Sequence, residues 1–329
     1  MNKSLVLLFC FLLLSYVLTY FIKWIALRNK ILDMPNERSS HADPIPRGGG
    51  LAIVISWYTG ISYLYFQSII SDKLYFALLS GIFLAIVSFI DDIKSIRPQL
   101  RLFIHIITAI LAFILLNGIQ PLSFAGLVLN SKIVLFPISV IGIVWFINLF
   151  NFLDGIDGYA SMEAILVALV MFFLTESQVF LILIACTLGF LIWNWPKAKI
   201  FMGDIGSTQL GFILVVLGIY YHNEFKISFL HWIMITSVFW FDATLTLMRR
   251  WRNKEKLSVA HRKHAYQRAV QSGLSHNAVI LLSIILNGII FGIVVLSINF
   301  SEYLLPLLII NMLILYFVNH LIDRRMPFK

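Results

Sequence analysis

Long runs of apolar residues, separated by short polar stretches, make up most of the chain. Each run is close to the roughly 20 residues that a helix needs to cross the hydrocarbon core of a bilayer. The polar stretches between the runs are too short to hold a large soluble domain. The pattern predicts an all-α multispan bundle of about eleven transmembrane helices, near residues 4–27, 49–68, 73–90, 100–116, 132–150, 158–174, 178–194, 206–221, 228–248, 277–297 and 302–321.

The composition agrees with this pattern and excludes an ordinary soluble enzyme. Hydrophobic residues make up 60% of the chain and charged residues 12%, with a mean hydropathy of +0.90, whereas a soluble domain carries about 25% charged residues. The first run is longer than the core of a signal peptide and lacks an Ala-x-Ala cleavage pattern, so we expect a retained helix. Cys10 and Cys186 have neither metal-site spacing nor the number needed for a disulfide framework. We therefore expect one integral membrane domain over residues 1–329.

The distribution of charge predicts which side of the membrane each loop faces. The formal net charge is +9, from 25 Lys and Arg against 16 Asp and Glu. Twenty of the basic residues fall in one set of alternate loops, which the positive-inside rule assigns to the cytoplasm. The basic charge therefore reports topology, and we expect no nucleic-acid partner. Ten of the acidic residues fall on the same side although topology does not require it, which indicates chemistry there.

Two adjacent carboxylates end the third predicted helix. Asp91 and Asp92 repel each other unless a cation or a proton lies between them, and Lys94 follows closely. The pattern is compatible with a solvated helix end that is partly paired to Lys94. It is equally compatible with a site for Mg²⁺ or for an acid and a base.

Polar residues recur at every third position after the fifth predicted helix. If the helix continues, Asn148, Asn151 and Asp154 lie along one face, and Asp157 follows at the same spacing. A polar side chain in hydrocarbon costs free energy without a partner, so this stripe must face the bundle interior or water. Hydrogen bonding between helices is one interpretation. The other is a site for Mg²⁺, which prefers oxygen ligands and usually arrives with substrate phosphates.

A short loop near residue 200 combines a carboxylate with glycines. It reads Phe201-Met-Gly-Asp204-Ile-Gly-Ser, just before a predicted helix. This position is near backbone N–H groups that suit phosphate. A turn with a helix N-cap has the same sequence pattern.

Two basic segments on the same side also suit anions. The longest loop contains His261-Arg262-Lys263-His264, whose imidazole and guanidinium groups match diphosphate oxygens. Arg47 precedes three glycines that let the backbone approach an anion. Arg38 and His41 lie shortly before it.

Taken together and in this order, the motifs resemble those of the polyprenyl-phosphate N-acetylhexosamine-1-phosphate transferases, glycosyltransferase family 4. The resemblance extends from Arg47 to about Arg268. It implies a Mg²⁺-dependent enzyme of the bacterial inner membrane, with its active-site loops in the cytoplasm. Such an enzyme transfers N-acetylhexosamine-1-phosphate from a UDP-sugar to undecaprenyl phosphate and releases UMP, as the first membrane step of O-antigen, capsule or other cell-envelope polysaccharide synthesis. Mn²⁺ is an alternative metal, and a homodimer is an alternative to a monomer.

The resemblance also implies roles for individual residues. Asn151 and Asp204 are expected to bind Mg²⁺, and Asp91 and Asp92 to accept a proton from the lipid phosphate or to position it. Phe201 is expected to stack on uracil. The expected substrate-binding residues are Arg47, Lys94, Asn148, Asp154, Asp157, Phe201, His261, Arg262 and His264, the last three on the diphosphate.

Several alternatives stay open at this point. Phospho-N-acetylmuramoyl-pentapeptide transferases, the peptidoglycan branch of the family, typically carry three consecutive histidines, whereas this chain has His261-Arg-Lys-His264. We therefore expect the O-antigen-initiating branch, with N-acetylglucosamine, N-acetylfucosamine or N-acetylquinovosamine as the sugar. A secondary transporter is the alternative from another class, but transporters tend to place ionisable residues near the membrane midplane and to repeat their halves. A CDP-alcohol phosphatidyltransferase would need an Ala-Arg pair soon after its Asp-Gly, which this chain lacks.

Overall fold

The structure is a computed structural model that describes residues 3–34, 43–124, 127–257, 259 and 261–328. Arg38 and His41 lie outside these residues. The described chain is nearly all helix. Its elements are α1 Lys3–Arg28, β1 Leu32–Asp33, β2 Ile45–Pro46, α2 Gly50–Phe66, α3 Asp72–Leu79, α4 Gly81–Ile93, α5 Pro98–Leu115, β3 Leu122–Phe124, β4 Leu127–Leu129, α6 Lys132–Asn151, α7 Tyr159–Thr175, α8 Gln178–Asn194, α9 Asp204–Asn223, α10 Phe229–Ile235, α11 Ser237–Arg252, α12 Ala265–Gln271, α13 His276–Asn299 and α14 Leu304–Arg325.

The all-α membrane bundle predicted from the apolar runs is confirmed, and each of the eleven predicted segments overlaps apolar helix. Seven helices in the described part of the chain are long and apolar enough to cross a membrane, with α3 and α4 together forming one of them. An eighth results if α10 and α11, which meet at a bend of 77°, are one broken span. The remaining three, α2, α7 and α8, are apolar but have 17 residues each. Eleven crossings stay a prediction.

Helix α9 forms the centre of the bundle. It packs against α6, α4 and α2, and almost every residue along it is buried. By contrast, α1 and α14 leave most of their apolar surface exposed, as expected for helices that face lipid. Aromatic side chains fill the core of the bundle, and Phe150, Phe212 and Phe239 are wholly buried there.

A close crossing of two helix N-termini places α2 beside α9. A Cβ atom on Gly50 would lie 2.3 Å from the Cα of Gly206, so neither backbone could come this near with a side chain between them. Two backbone hydrogen bonds, from Gly49 N–H to the Phe201 carbonyl at 2.9 Å and from Gly50 N–H to the Met202 carbonyl at 2.8 Å, fix the register. The crossing brings Arg47, which shortly precedes α2, to the N-terminus of α9.

Two short antiparallel pairs, β1 with β2 and β3 with β4, were not predicted from the sequence. The first pair supports the site. Phe201 N–H donates to the Pro46 carbonyl of β2 at 2.8 Å, and Arg47 N–H donates to the Ile31 carbonyl at 3.3 Å. The backbone on both sides of Arg47 is therefore held.

Candidate active site

Four carboxylates from the end of α4, the turn after α6 and the start of α9 meet at one end of the bundle, and we call Asp91, Asp92, Asp154 and Asp204 the carboxylate cluster. Two arginines bridge its members. Nη2 of Arg47 lies 2.9 Å from an oxygen of Asp92 and 2.9 Å from one of Asp204. Residues that are more than a hundred positions apart in sequence thus converge on one point.

Arg101, in the first turn of α5, is the second bridge. Its Nη1 lies 2.7 Å from Asp91 and 3.1 Å from the other oxygen of Asp204. Pro98 starts α5 at a position where no N–H is needed, and the short loop before it turns the chain back toward α4. Asp204 consequently has one guanidinium group on each of its oxygens.

Asp92 anchors the start of the central helix. Its two carboxylate oxygens accept hydrogen bonds from the N–H groups of Asp204, at 2.9 Å, and Ile205, at 3.1 Å. These N–H groups have no partner within α9, and the helix dipole favours negative charge at this end. The Asp92 side chain is 3% exposed, so the structure places it beneath Asp204 as its support.

Asp91 has a comparable arrangement on the outer side. One oxygen accepts a hydrogen bond from Ile96 N–H at 2.6 Å, and the other faces Arg101. Asp91 thereby fixes the turn that carries Arg101. Lys94, in the same turn, is exposed, and its side chain makes no hydrogen bond or ion pair with the carboxylates of the described residues.

Asp154 has a pKa close to neutral pH. Burial raises the pKa of Asp154 to about 7, together with the neighbouring carboxylates of Asp204 and Asp92, and against the lowering effects of Arg47 and of the Gly203 N–H. A small change in local charge would therefore change its protonation. A bound cation would favour the ionised form.

The asparagine stripe divides into two parts. Asn151 lies at the cluster, where its Oδ1 accepts a hydrogen bond from the hydroxyl of Ser207 at 2.6 Å. Asn148 instead donates to the Val144 carbonyl at 2.7 Å and contacts His105 Nδ1 of α5 at 3.2 Å. Asn148 thus makes a contact between helices. This is one of the two interpretations that the sequence left open, the other being a metal site.

Asp154 would share the helical face of Asn148 and Asn151 only if the helix continued to residue 154, and it does not. Helix α6 ends at Asn151, and a turn follows. A helix end leaves backbone carbonyls without partners, and here the hydroxyl of Tyr266 donates to the Phe152 carbonyl at 2.7 Å. Gly155 makes room for this contact, because a Cβ atom there would lie 2.3 Å from the same hydroxyl oxygen.

The same contacts bring residues 261–264, which we call the histidine loop, onto this turn. The ring of His264 lies stacked 6.0 Å from Phe152 and 4.8 Å from the ring of His261, measured between centroids. Burial lowers the pKa of both imidazoles to about 3, helped for His264 by Arg250 and Arg268, and for His261 by His264 and Arg250. The two rings are therefore neutral at pH 7. Arg262 is partly exposed beside them, and its carbonyl accepts from Gln271 Nε2 at 2.7 Å.

Two other predicted residues lie beside the cluster rather than in it. Asp157 accepts a hydrogen bond from Ala198 N–H at 3.2 Å and lies 3.3 Å from Nδ1 of His276. Phe201 is partly exposed, with its backbone tied to Pro46 and Gly49.

Two residues of the site were missed from the sequence. Arg101 was counted only as one of the basic loop residues that set topology, and Ser207 only as part of a turn motif. A signal existed for Arg101, since a cation shortly after Asp91-Asp92 is well placed to relieve their repulsion. No pattern in the sequence singles out Ser207.

The cluster fits a hard divalent cation by its chemistry. No three His, Cys, Asp or Glu side chains in the described part of the chain form a ready metal site. Mg²⁺, however, is usually bound by one or two carboxylates, with water and substrate phosphates completing its shell. With all four carboxylates ionised, the two arginines leave an excess of two negative charges, which a divalent cation would balance.

Comparisons with known proteins identify the family of the chain. Residues 74–222 match the family described as "Glycosyl transferase family 4". The chain is 33% identical over 320 residues to the "Probable undecaprenyl-phosphate N-acetylglucosaminyl 1-phosphate transferase" of Bacillus subtilis, covering 93% of this chain and 87% of that protein. It is 26% identical to the "Decaprenyl-phosphate N-acetylglucosaminephosphotransferase" of Mycolicibacterium smegmatis, over 85% and 79% of the two chains. A "Phospho-N-acetylmuramoyl-pentapeptide-transferase" of Streptococcus thermophilus is 30% identical over 41% of this chain.

Proposed function

The chain belongs to the polyprenyl-phosphate N-acetylhexosamine-1-phosphate transferases of glycosyl transferase family 4, and we propose that it transfers a sugar-1-phosphate from a UDP-sugar to undecaprenyl phosphate. UMP is the second product. The enzyme acts at the cytoplasmic face of the bacterial inner membrane, as the first membrane step of O-antigen, capsule or another cell-envelope polysaccharide. N-acetylglucosamine is the favoured sugar, because the relatives aligned over most of the chain are named for it.

One observation carries the proposal. The carboxylate cluster and its two arginines lie at one end of the bundle, and the histidine loop packs directly against the turn that bears Asp154. A reaction between two phosphate compounds needs charge neutralisation and alignment more than it needs covalent chemistry from the protein. The arrangement offers both, beside the lipid that would hold the acceptor.

Asp204 and Asn151 are the residues that would hold Mg²⁺, or Mn²⁺ in its place. Both present oxygen atoms at the N-terminal turn of α9, and Asn151 is oriented there by Ser207. Bound there, the ion would reduce repulsion between the two phosphates and stabilise charge on the departing UMP. Arg47 and Arg101, which pair with Asp204 in this structure, would then bind phosphate oxygens of the substrates instead.

The other side chains bind and orient the substrates. His261, Arg262 and His264 hold diphosphate oxygens, the neutral imidazoles by hydrogen bonding and the guanidinium by charge. Phe201 stacks on uracil, while Lys94, Asn148, Asp154 and Asp157 line the nucleotide and sugar side. Asp154, with a pKa of about 7, can hold or release a proton on the nucleotide and sugar side of the site.

Asp91 and Asp92 act on the lipid phosphate. Both have their oxygens engaged, with Ile96 N–H and Arg101 for Asp91 and with two helix N–H groups and Arg47 for Asp92. Each carboxylate thus already has partners that fix its place, and a phosphate monoester is already largely ionised at pH 7, so it has little need of a base. Alignment of Arg47 and Arg101 is therefore their favoured role over that of a base.

The purified protein in detergent tests the proposal directly. UMP release is measured with undecaprenyl phosphate and Mg²⁺, offering UDP-N-acetylglucosamine, UDP-N-acetylfucosamine and UDP-N-acetylquinovosamine in parallel. We expect release with UDP-N-acetylglucosamine and loss of release when EDTA removes the metal. Folded protein that releases no UMP from any of the three would contradict the proposal.

A peptidoglycan-branch activity is the second candidate, because one relative of that name aligns with part of the chain. A fourth arm with UDP-N-acetylmuramoyl-pentapeptide separates the two. We expect no release there, since His261-Arg-Lys-His264 departs from the three consecutive histidines of that branch.

A further inference from the structure

A network of contacts lies behind the histidine loop, on the side away from the carboxylate cluster. Arg268 is at its centre, with a side chain that is 3% exposed. Its Nη1 donates to Asp323 at 2.5 Å and to the Met326 carbonyl at 3.0 Å, and its Nε donates to the Lys263 carbonyl at 3.0 Å. Arg268 therefore connects the middle of the histidine loop to the end of α14.

Phe328 closes this network from outside. The ring has three cations near its face, with Arg249 at 5.3 Å, Lys263 at 5.6 Å and Arg268 at 5.4 Å from its centroid. Three like charges so close would repel, but the negative face of an aromatic ring attracts each of them. Asp323 adds an ionic partner, with two hydrogen bonds to Arg249 at 3.0 and 2.9 Å.

The opposite flank of the loop has its own anchor on α11. Arg250 donates to Glu255 at 3.0 Å and to the backbone carbonyls of Lys256, Leu257 and Val259. Lys263 reaches the same Glu255 at 2.7 Å. The side chain of Lys263 thus lies between this anchor and the ring of Phe328.

Residues 261–264 have no helix or strand pattern of their own. Their conformation must come from side-chain contacts. Lys263, which is flanked by the three residues assigned to the diphosphate, contacts both Arg268 and the ring of Phe328. We propose that residues 323–328 are a positioning segment, which sets the orientation of His261, Arg262 and His264 for the donor by holding Lys263 and Arg268. This inference rests on the proposed function for the identity of the donor. The contact between residues 323–328 and the histidine loop does not depend on that function.

Phe328→Leu and Phe328→Tyr test the segment as a pair. Leucine keeps most of the apolar bulk and removes the aromatic face, whereas tyrosine keeps the face. We expect Phe328→Leu to raise KM for the UDP-sugar about fivefold with little change in kcat, as loss of weak cation–π contacts predicts. Phe328→Tyr should keep the KM of the unchanged protein, and Phe300→Leu, at an exposed phenylalanine beyond α13, is the matched control.

Hydrogen–deuterium exchange supplies a readout that needs no activity. Phe328→Leu should increase exchange in peptides covering residues 261–268, while peptides from α9 stay unchanged. If exchange in this loop is the same in all variants, the positioning segment is refuted whatever the enzyme does. If the loop loosens and KM does not move, the segment has a structural role alone. Absence of UMP release from the unchanged protein would refute the proposed function, and the exchange result would still decide the contact.

Discussion

Asp204 is held between two arginines, with one guanidinium group on each carboxylate oxygen. About a third of each arginine side chain is exposed, so under the proposed function both are accessible to the phosphates of a substrate. A lysine would offer a point charge, whereas the guanidinium fork spans two oxygens at once. Arg47 and Arg101 are therefore suited to exchanging one anionic partner for another.

Asp204→Asn should abolish turnover and leave the protein folded. Asparagine has nearly the same shape and keeps an acceptor for Arg47, but it removes the negative charge that would hold the metal. We expect UMP release to fall by at least about a hundredfold, the scale for a single catalytic electrostatic contact. Release is measured beside a melting curve, and Lys197→Ala, at an exposed lysine nearby, should change neither quantity. Full activity of Asp204→Asn would contradict the metal assignment.

His264 makes stability depend on pH in a defined window. Burial lowers its pKa from 6.5 to about 3, so between these values the unfolded chain binds a proton that the folded protein does not. The free energy of unfolding is therefore highest above pH 6.5 and falls as the pH falls toward 3. From pH 7 to pH 5 this group alone should reduce it by about 2 kcal/mol.

The variant His264→Asn isolates this effect. Asparagine does not titrate and is a favourable residue at a helix N-cap, the position that His264 has before α12. We expect the Tm of the unchanged protein to decrease more between pH 7 and pH 5 than that of the variant, with His320→Asn, at an exposed histidine, as control. Equal decreases in all three proteins would show that His264 is not buried in its neutral form.

At the scale of elements, the crossing of α2 and α9 holds Arg47 in the site. Gly50→Ala would place a methyl group 2.3 Å from the Gly206 Cα and 2.5 Å from its nitrogen. Backbone atoms cannot rotate away, so the helices must separate, at a cost of about 1–3 kcal/mol. We expect a lower Tm in a melting experiment and weaker turnover.

Gly288→Ala provides the comparison for this substitution. It lies within α13, where a Cβ would have nothing within 4 Å, and alanine favours helix. Its Tm should be unchanged or higher. A Gly50→Ala protein as stable as Gly288→Ala would mean that the two helices are not in contact.

Helix positions were predictable from the sequence because the hydrocarbon core sets both the length and the apolar character of a span. The bend of 77° between α10 and α11 was not, since residues 228–248 read as one apolar run. The end of α6 at Asn151 agrees with the predicted segment 132–150. The contact of Tyr266 with the turn after it, for which Gly155 makes room, was not predictable, because these residues meet only in the folded protein.

The candidate site was predictable to a similar degree. Asp92 and Asp204 stood out as acidic residues in an apolar chain. The sequence did not predict that Asp92 accepts hydrogen bonds from the N-terminus of α9, where Asp204 lies. Arg101 was hidden among basic residues that the membrane topology already explained. Sequence spacing reports which residues share a helix face, and it does not report which loops meet.

For the whole molecule, the charge distribution and the site geometry point to the same end of the bundle. The basic residues of alternate loops assign one side to the cytoplasm. The carboxylate cluster and the histidine loop, brought together by packing, lie at the end of the bundle to which those loops belong. A water-soluble nucleotide sugar would reach the site from that side, while the acceptor stays in the lipid.

Labelling of single introduced cysteines tests this orientation. Lys256→Cys lies in the exposed loop before α12, and Ser301→Cys lies in the exposed turn between α13 and α14. A maleimide that does not cross membranes should label Ser301→Cys in intact cells and Lys256→Cys only in inverted vesicles. The unchanged chain is the background control, because Cys186 is buried and Cys10 lies within the apolar helix α1. Labelling of Lys256→Cys in intact cells would place the carboxylate cluster outside the cytoplasm, where UDP-sugars are not supplied, and would contradict the topology together with the proposed reaction.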